Sequence, residues 1–169
     1  MLKGLRRCPY YDEDHKFVGT FPAVLAPIIG PDGSLQSVQR IYAAVGLDPR
    51  KKIMPAVDTI SGGAVRLFPA VAELGIAEGV ETAIAANMMG HGPAWALGSA
   101  GAIGNLPVLP GIKRLILLAE HNETSRAATD RCGKRWLGAG RKVMRIWPNQ
   151  GHDDLNDELI SRGASDGAR

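Results

Sequence analysis

An α/β fold is predicted, with a parallel sheet covered by helices on both faces and a small β-rich subdomain in front of it. Three observations carry this reading. After Val71, short apolar runs alternate with segments of helical periodicity, the order that favours a parallel sheet between helical layers. Before it, apolar segments are separated by glycine and proline turn signals, as in β-hairpins. Two of the later apolar runs end abruptly in acidic residues, at the strand-to-helix junctions where α/β proteins build their sites.

The N-terminal subdomain is assigned to residues 1–70. From Phe21 to about Ala44, apolar stretches flank Gly30-Pro31-Asp32-Gly33, and Ser37 to Tyr42 partly alternates polar with apolar residues; this predicts a β-hairpin. Asp48 to Met54 is polar and basic, and Ser61-Gly62-Gly63 predicts a flexible loop ahead of a short strand that ends near Pro69.

Residues 71–169 form the α/β part. Leu74 to Ala77 is the first strand. The next helix carries Val80, Ala83, Ile84 and Met88 at helical spacing and stops at Gly90-His91-Gly92-Pro93. Pro93 to Gly98 makes the second strand, and Gly101 to Leu106 has room for a turn or two of helix. Arg114 to Ala119 is the third and most apolar strand. Thr124 or Ser125 is placed to cap the following helix, whose apolar line Ala128, Cys132, Trp136 is spaced by four residues before Gly138 ends it. Lys142 to Trp147 is a fourth strand, and Asp153 to Arg162 a last helix with acidic residues in its first turn.

At 169 residues the chain is long enough for an independent core. Its 21 glycines and 11 prolines fall below the share that marks low-complexity chains, which predicts a globular, turn-rich protein. A net charge of +3 permits a polyanionic partner without demanding one. Cys8 and Cys132 are far apart and outside any C-x-x-C, so neither a zinc ribbon nor a disulfide framework is expected. No apolar run reaches the length of a membrane span. A cytoplasmic protein with reduced thiols and no membrane partner is the expectation.

The acidic junctions carry the chemistry. The first strand runs into Glu78-Gly79-Val80-Glu81, and the third into Glu120-His121-Asn122-Glu123. If the two strands are neighbours, Glu78, Glu81, Glu120 and Asn122 converge on one sheet edge, with Glu123 near enough to contribute. Hard oxygen donors in that number suit Mg²⁺ or Mn²⁺. Plainer readings stand beside these: Glu78 and Glu81 as carboxylates stabilising a helix N-terminus, His121 as a polar histidine aimed away from its neighbours by strand alternation, and Asp153, Asp154 and Asp157 as caps and first-turn acids of the last helix.

These segments resemble the Toprim domain, shared by topoisomerases, bacterial-type primases and several nucleases. In that family a strand ends in Glu-Gly and a later strand in Asp-x-Asp; Glu78-Gly79 matches the first motif, and Glu120-His121-Asn122 stands where the second would be. The resemblance covers roughly residues 72 to 160. It takes in Trp95 to Gly101 and the closing Pro148 to Asp157, and Leu5 to Pro9 with Phe21 to Pro27 is similar to the lead-in of phage and plasmid primases. It implies a Toprim-like four-stranded parallel sheet flanked by helices, and a general acid or base at Glu78. It implies metal ligands at Glu78, Glu81, Glu120, Asn122 and Glu123, with Mg²⁺ or Mn²⁺ as cofactor. The implied activity is a DNA primase-type nucleotidyl transfer, making RNA primers on single-stranded DNA from nucleoside triphosphates, with a replicative helicase among the possible partners. Two alternatives stay open: a Toprim nuclease, and a non-catalytic DNA-binding or replication module with a degenerate metal site, which Asn122 supports. Arg66, Lys51 and Lys52 are candidate phosphate contacts, and Ser99 and Gly101 offer backbone N–H groups near a helix start.

Overall fold

The computed structural model describes residues 1–57, 60 and 62–166, with the side chains of residues 164–166 excluded. Ser61 of the expected flexible loop lies outside the described residues. The chain forms two compact units, Met1–Gly63 and Ala64–Arg169.

The first unit is an antiparallel meander of four strands in sequence order: β1 (Lys3–Tyr11), β2 (Phe17–Ile29), β3 (Leu35–Tyr42) and β4 (Lys51–Ile53). The expected hairpin is β2–β3, with Ala23 opposite Tyr42 and Ile28 opposite Ser37. Its turn is tied by the Gly30 amide, which donates to the Ser34 carbonyl at 2.8 Å, and by the Asp32 carboxylate, which accepts the Ser34 amide at 3.0 Å. β1 and β4 extend the sheet on either side of this hairpin. The core is small and aromatic: Tyr10 meets Tyr42 edge to face at 4.9 Å, beside buried Cys8 and Ala23. The Tyr42 hydroxyl donates to the Pro9 carbonyl at 2.6 Å. Burial, helped by the bond to Cys8, pushes its pKa up to about 12, so the ring stays neutral where its packing needs it.

The second unit is α/β. A parallel sheet has the order β6-β5-β7-β8, formed by β5 (Glu73–Ala77), β6 (Ala94–Ala96), β7 (Arg114–Leu118) and β8 (Lys142–Ile146). The helices are α1 (Val80–Met88), α2 (Ala100–Asn105), α3 (Glu123–Gly138) and α4 (Leu155–Asp166). Val65 forms an antiparallel bridge with Ala96. Residues 64–70, expected to close the N-terminal subdomain, are therefore built into the second unit.

Strand alternation sorts the sheet's two faces. Leu74, Ile76, Leu115 and Leu117 join Ile103 and Leu106 from the α2 region and Ala128, Cys132 and Trp136 of α3 in one buried cluster. The four-residue spacing of the α3 line is therefore a contact stripe. Trp136 is wholly buried there, a contribution of roughly 4 kcal/mol by apolar area. Gly75, Ala77, Ile116 and Leu118 alternate with these, are also buried, and point to the other face, where α1 packs on β5 and α4 on α1. The Thr82 hydroxyl donates to Asp154 Oδ2 at 2.7 Å, joining α1 to the start of α4. Arg131 and Arg135 close the end of α2, donating to the Gly104 carbonyl at 3.1 and 2.9 Å. A Cβ at Gly104 would stand 2.1 Å from the Arg131 guanidinium, so only glycine admits that approach. Among the described residues, no helix is long and apolar enough to cross a membrane.

Candidate functional site

The chain leaves β5 through α1 to β6 on one side, whereas β7 lies on β5's other side and continues outward to β8. Strand order thus reverses between β5 and β7, and the crevice beyond their carboxyl ends is where open α/β sheets bind ligands. β5 and β7 are parallel neighbours, with Ile76 opposite Leu117. Glu78 follows β5 and Glu120 follows β7 by one and two residues, so the two acidic junctions rise from adjacent strand ends.

Glu78 is half-buried. Its carbonyl accepts the Gly98 amide at 2.9 Å, and the Ala77 carbonyl accepts the Leu97 amide at the same distance, which draws the turn after β6 against the end of β5. Gly98 makes that turn at φ +85, a left-handed conformation that costs a non-glycine residue roughly 1–2 kcal/mol. Ser99 caps the six-residue α2, its hydroxyl accepting the Ala102 amide at 3.1 Å, and Gly101 is exposed in the first turn. Gly79 is extended at φ −94 and caps α1 with no side-chain bond. Glu81 lies in the first turn of α1, with one carboxylate oxygen buried.

The β7 junction is more tightly bonded. Asn122 is the N-cap of α3: its Oδ1 accepts the Ser125 amide at 2.8 Å. The cap expected at Thr124 or Ser125 is supplied earlier, because Asn122 is the last extended residue before helical backbone begins. Ser125 is buried and its hydroxyl accepts the Glu120 amide at 3.0 Å. The Asn122 side-chain amide donates to Glu120 Oε2 at 3.1 Å. The two side chains therefore share a face, and what Asn122 presents to Glu120 is an N–H donor. Its carbonyl oxygen, the expected metal donor, is engaged by the helix. Glu123 is exposed at the first position of α3.

His121 faces elsewhere: its Nε2 donates to the Pro148 carbonyl at 2.9 Å and its ring stacks on Trp147 at 5.4 Å. Arg126 and Arg145 lie 4.9 and 5.6 Å from that indole. Asp154 caps α4, accepting the Asp157 amide at 2.9 Å, which is the plainer of the two readings of the closing acidic segment. Glu158, buried in α4, accepts the Asn149 amide and side-chain amide, each at 2.8 Å. The Asn149 backbone bond holds its carboxyl below the usual range against the opposing effect of burial, and Arg162 adds to the lowering.

The remaining phosphate candidates are distributed. Arg66 is half-buried over the Trp95 ring at 4.9 Å. Lys51 and Lys52 belong to β4 of the first unit, where Lys52 stands over Tyr10 at 4.4 Å and donates to the Tyr11 carbonyl.

Among the described residues, no three or more His, Cys, Asp or Glu side chains gather closely enough to hold an ion unaided. Mg²⁺, however, is commonly held by one or two carboxylates and completed by substrate phosphates. Carboxylates are the donor type such an ion takes, and the described residues supply them at two adjacent strand ends without forming a closed cage.

A sequence model described as the Toprim domain matches residues 73–165. Structurally, the chain is similar to the primase fragment of the bacteriophage T7 primase-helicase protein, with a TM-score of 0.61 at 15% identity over 88% of this chain and 61% of that one. It is similar to a DNA primase domain from Pseudomonas aeruginosa, with a TM-score of 0.60 at 18% identity, covering 94% and 54%. It is also similar to a DnaG primase catalytic domain bound to single-stranded DNA, with a TM-score of 0.62 at 16% identity, covering 95% and 54%. The chain thus spans less than two thirds of the length of these structures. No curated protein matches it in sequence.

Proposed function

We propose, from the premise that this chain belongs to the Toprim domain family, that it is a primase-type core joining ribonucleotides on single-stranded DNA with Mg²⁺ or Mn²⁺. The observation that carries the reading is the pairing of β5 with β7 at the reversal of strand order, which sets Glu78 and Glu120 at neighbouring strand ends. Support for synthesis over cleavage comes from the extent of the structural likeness, which covers 88–95% of the chain and so includes the meander ahead of the Toprim domain as well as the domain itself.

In this reading Glu78 and Glu120 hold the ion together with the phosphates of the incoming nucleotide, and Glu81 and Glu123 add negative potential at the rim. When bound, the ion neutralises charge on the transferring phosphoryl group and orients the attacking hydroxyl. Glu78 accepts the proton of that hydroxyl as its oxygen bonds to the α-phosphorus of the incoming nucleotide, whose bond to the β-phosphate breaks and releases pyrophosphate. Ser99, by fixing the start of α2, and Gly101 hold backbone N–H groups toward phosphate oxygens. Arg66 is the proposed phosphate contact of the second unit, and Lys51 and Lys52 are those of the first, each a sequence-independent contact to a nucleic-acid backbone. A replicative helicase is the proposed partner that delivers the template.

A second reading is favoured by one bond. With the Asn122 amide donating to Glu120, the position holds one negative charge fewer than Asp-x-Asp, as a non-catalytic DNA-binding module would tolerate.

The test is incubation with single-stranded DNA, ribonucleotides and Mg²⁺ or Mn²⁺. Short RNA products, abolished by Glu78→Gln, support synthesis. Degraded template with the same sensitivity identifies a nuclease, and DNA binding with neither product identifies a binding module.

A further inference from the structure

The opposite end of the parallel sheet carries a feature that the proposed chemistry does not use. The amino-terminal ends of β5, β7 and β8 border a hollow of about 520 Å³ lined by Glu73, Lys113, Arg114, Arg141 and Lys142. The strands are five residues long, so it lies about 16 Å from the acidic edge.

Its charge is poorly balanced from within. Glu73 is matched to Arg114 at 2.9 Å. Among the described residues, Lys113, Arg141 and Lys142 have no ion pair, and the buried Arg141 Nε has no hydrogen-bond partner. Buried donors are ordinarily satisfied. The nearby end of α3 does not require these cations, because the amides of Ala139, Gly140 and Arg141 already bond the Arg135, Leu137 and Trp136 carbonyls at 2.9–3.2 Å.

An adjoining hollow of about 620 Å³ shares Arg114, Arg141 and Lys142 but is otherwise lined by Leu137, Val143 and Met144. Leu137 is 58% exposed and Met144 38%. Arg114 Nη2 donates to the Met144 thioether at 3.6 Å, so the cationic and apolar halves touch. β8 ends the sheet, and among the described residues no strand lies on its outer side.

We propose that this double hollow docks an extended acidic peptide that carries an apolar side chain. Carboxylates would meet Lys113, Arg141 and Lys142, and the apolar side chain would cover Leu137 and Met144. Arg and Met are residue types enriched at such interfaces, and a terminal strand can accept an added one. A nucleic-acid backbone would use the cations but leave the apolar half bare.

The test is fluorescence anisotropy with the whole chain and three labelled probes: a twelve-residue peptide mixing Asp and Glu with Leu and Phe, an all-acidic peptide of equal length, and single-stranded DNA. The mixed peptide should bind about tenfold more tightly than the all-acidic one. Arg141→Ala with Lys142→Ala should weaken it by about tenfold, and Leu137→Ser with Met144→Ser by a similar factor. Thermal melting checks that each variant folds, and Lys142→Glu, at an exposed position, supplies a milder variant expected to weaken binding in the same direction. Absence of mixed-peptide binding, equal binding of the two peptides, or single-stranded DNA binding that the same variants abolish would each overturn the proposal.

Discussion

Asn122 donates from its side-chain amide to Glu120 Oε2 at 3.1 Å while its Oδ1 accepts the Ser125 amide at 2.8 Å. One side chain thus begins α3 and supplies a neutral donor to the acidic junction, where a second carboxylate would repel the first.

Replacing Asn122 by Asp keeps a good cap but sets two negative charges side by side. Asn122→Asp should lower the melting temperature without metal and raise Mn²⁺ affinity about tenfold, close to 1.4 kcal/mol. Isothermal titration calorimetry measures this. An unchanged affinity would show that Glu120 and Glu78 already set the limit.

The capping role separates from the bond to Glu120 by a graded pair. Asn122→Ala should cost about 1 kcal/mol in urea denaturation, whereas Asn122→Ser, which preserves a cap oxygen, should stay within a few tenths. Equal losses would show that the cap is not what holds the junction.

Glu158 gives a pH dependence with a definite sign. Its carboxyl is held low in the folded state by the Asn149 amide and Arg162. The stabilisation is therefore present above the unfolded carboxylate range, about pH 4.3, and is lost as pH falls below it toward the lower folded value. Glu158→Gln should melt lower at pH 7 and show a shallower decline between about pH 5 and 3. Parallel melting curves for the two proteins over that range would contradict the assignment.

Gly98 tests how the β6 turn supports Glu78. A Cβ there meets nothing within 4 Å, so the cost of Gly98→Ala is conformational, about 1–2 kcal/mol at φ +85. Chemical denaturation should show that loss, with nucleotide binding weakened alongside it because the Gly98 amide bonds the Glu78 carbonyl.

Much of the second unit is legible in the sequence because its signals are local. β5 and β7 are apolar runs ended by acids, and the Ala128, Cys132, Trp136 line is a one-face helix pattern that the core uses as such. β1 and β4 are harder to read. β1 carries exposed Arg6 and Arg7 and a register shift between Leu5 and Cys8 that breaks alternation, while β4 is three residues with two lysines. The capping role of Asn122 is not legible because spacing alone does not reveal where helical backbone begins. Arg131 and Arg135 both clasp the end of α2, contacts of residues 27 and 31 positions apart that no local pattern reveals. The stack of His121 on Trp147 is equally non-local and leaves no periodic trace.

The central claim is that two carboxylates at adjacent strand ends hold a divalent ion completed by nucleotide phosphates. Equilibrium dialysis of labelled ATP against the protein, with and without Mn²⁺, tests it most directly. ATP should be retained only with Mn²⁺, and Glu78→Gln and Glu120→Gln should each weaken retention about tenfold; retention that is indifferent to Mn²⁺, or to both substitutions, would contradict it.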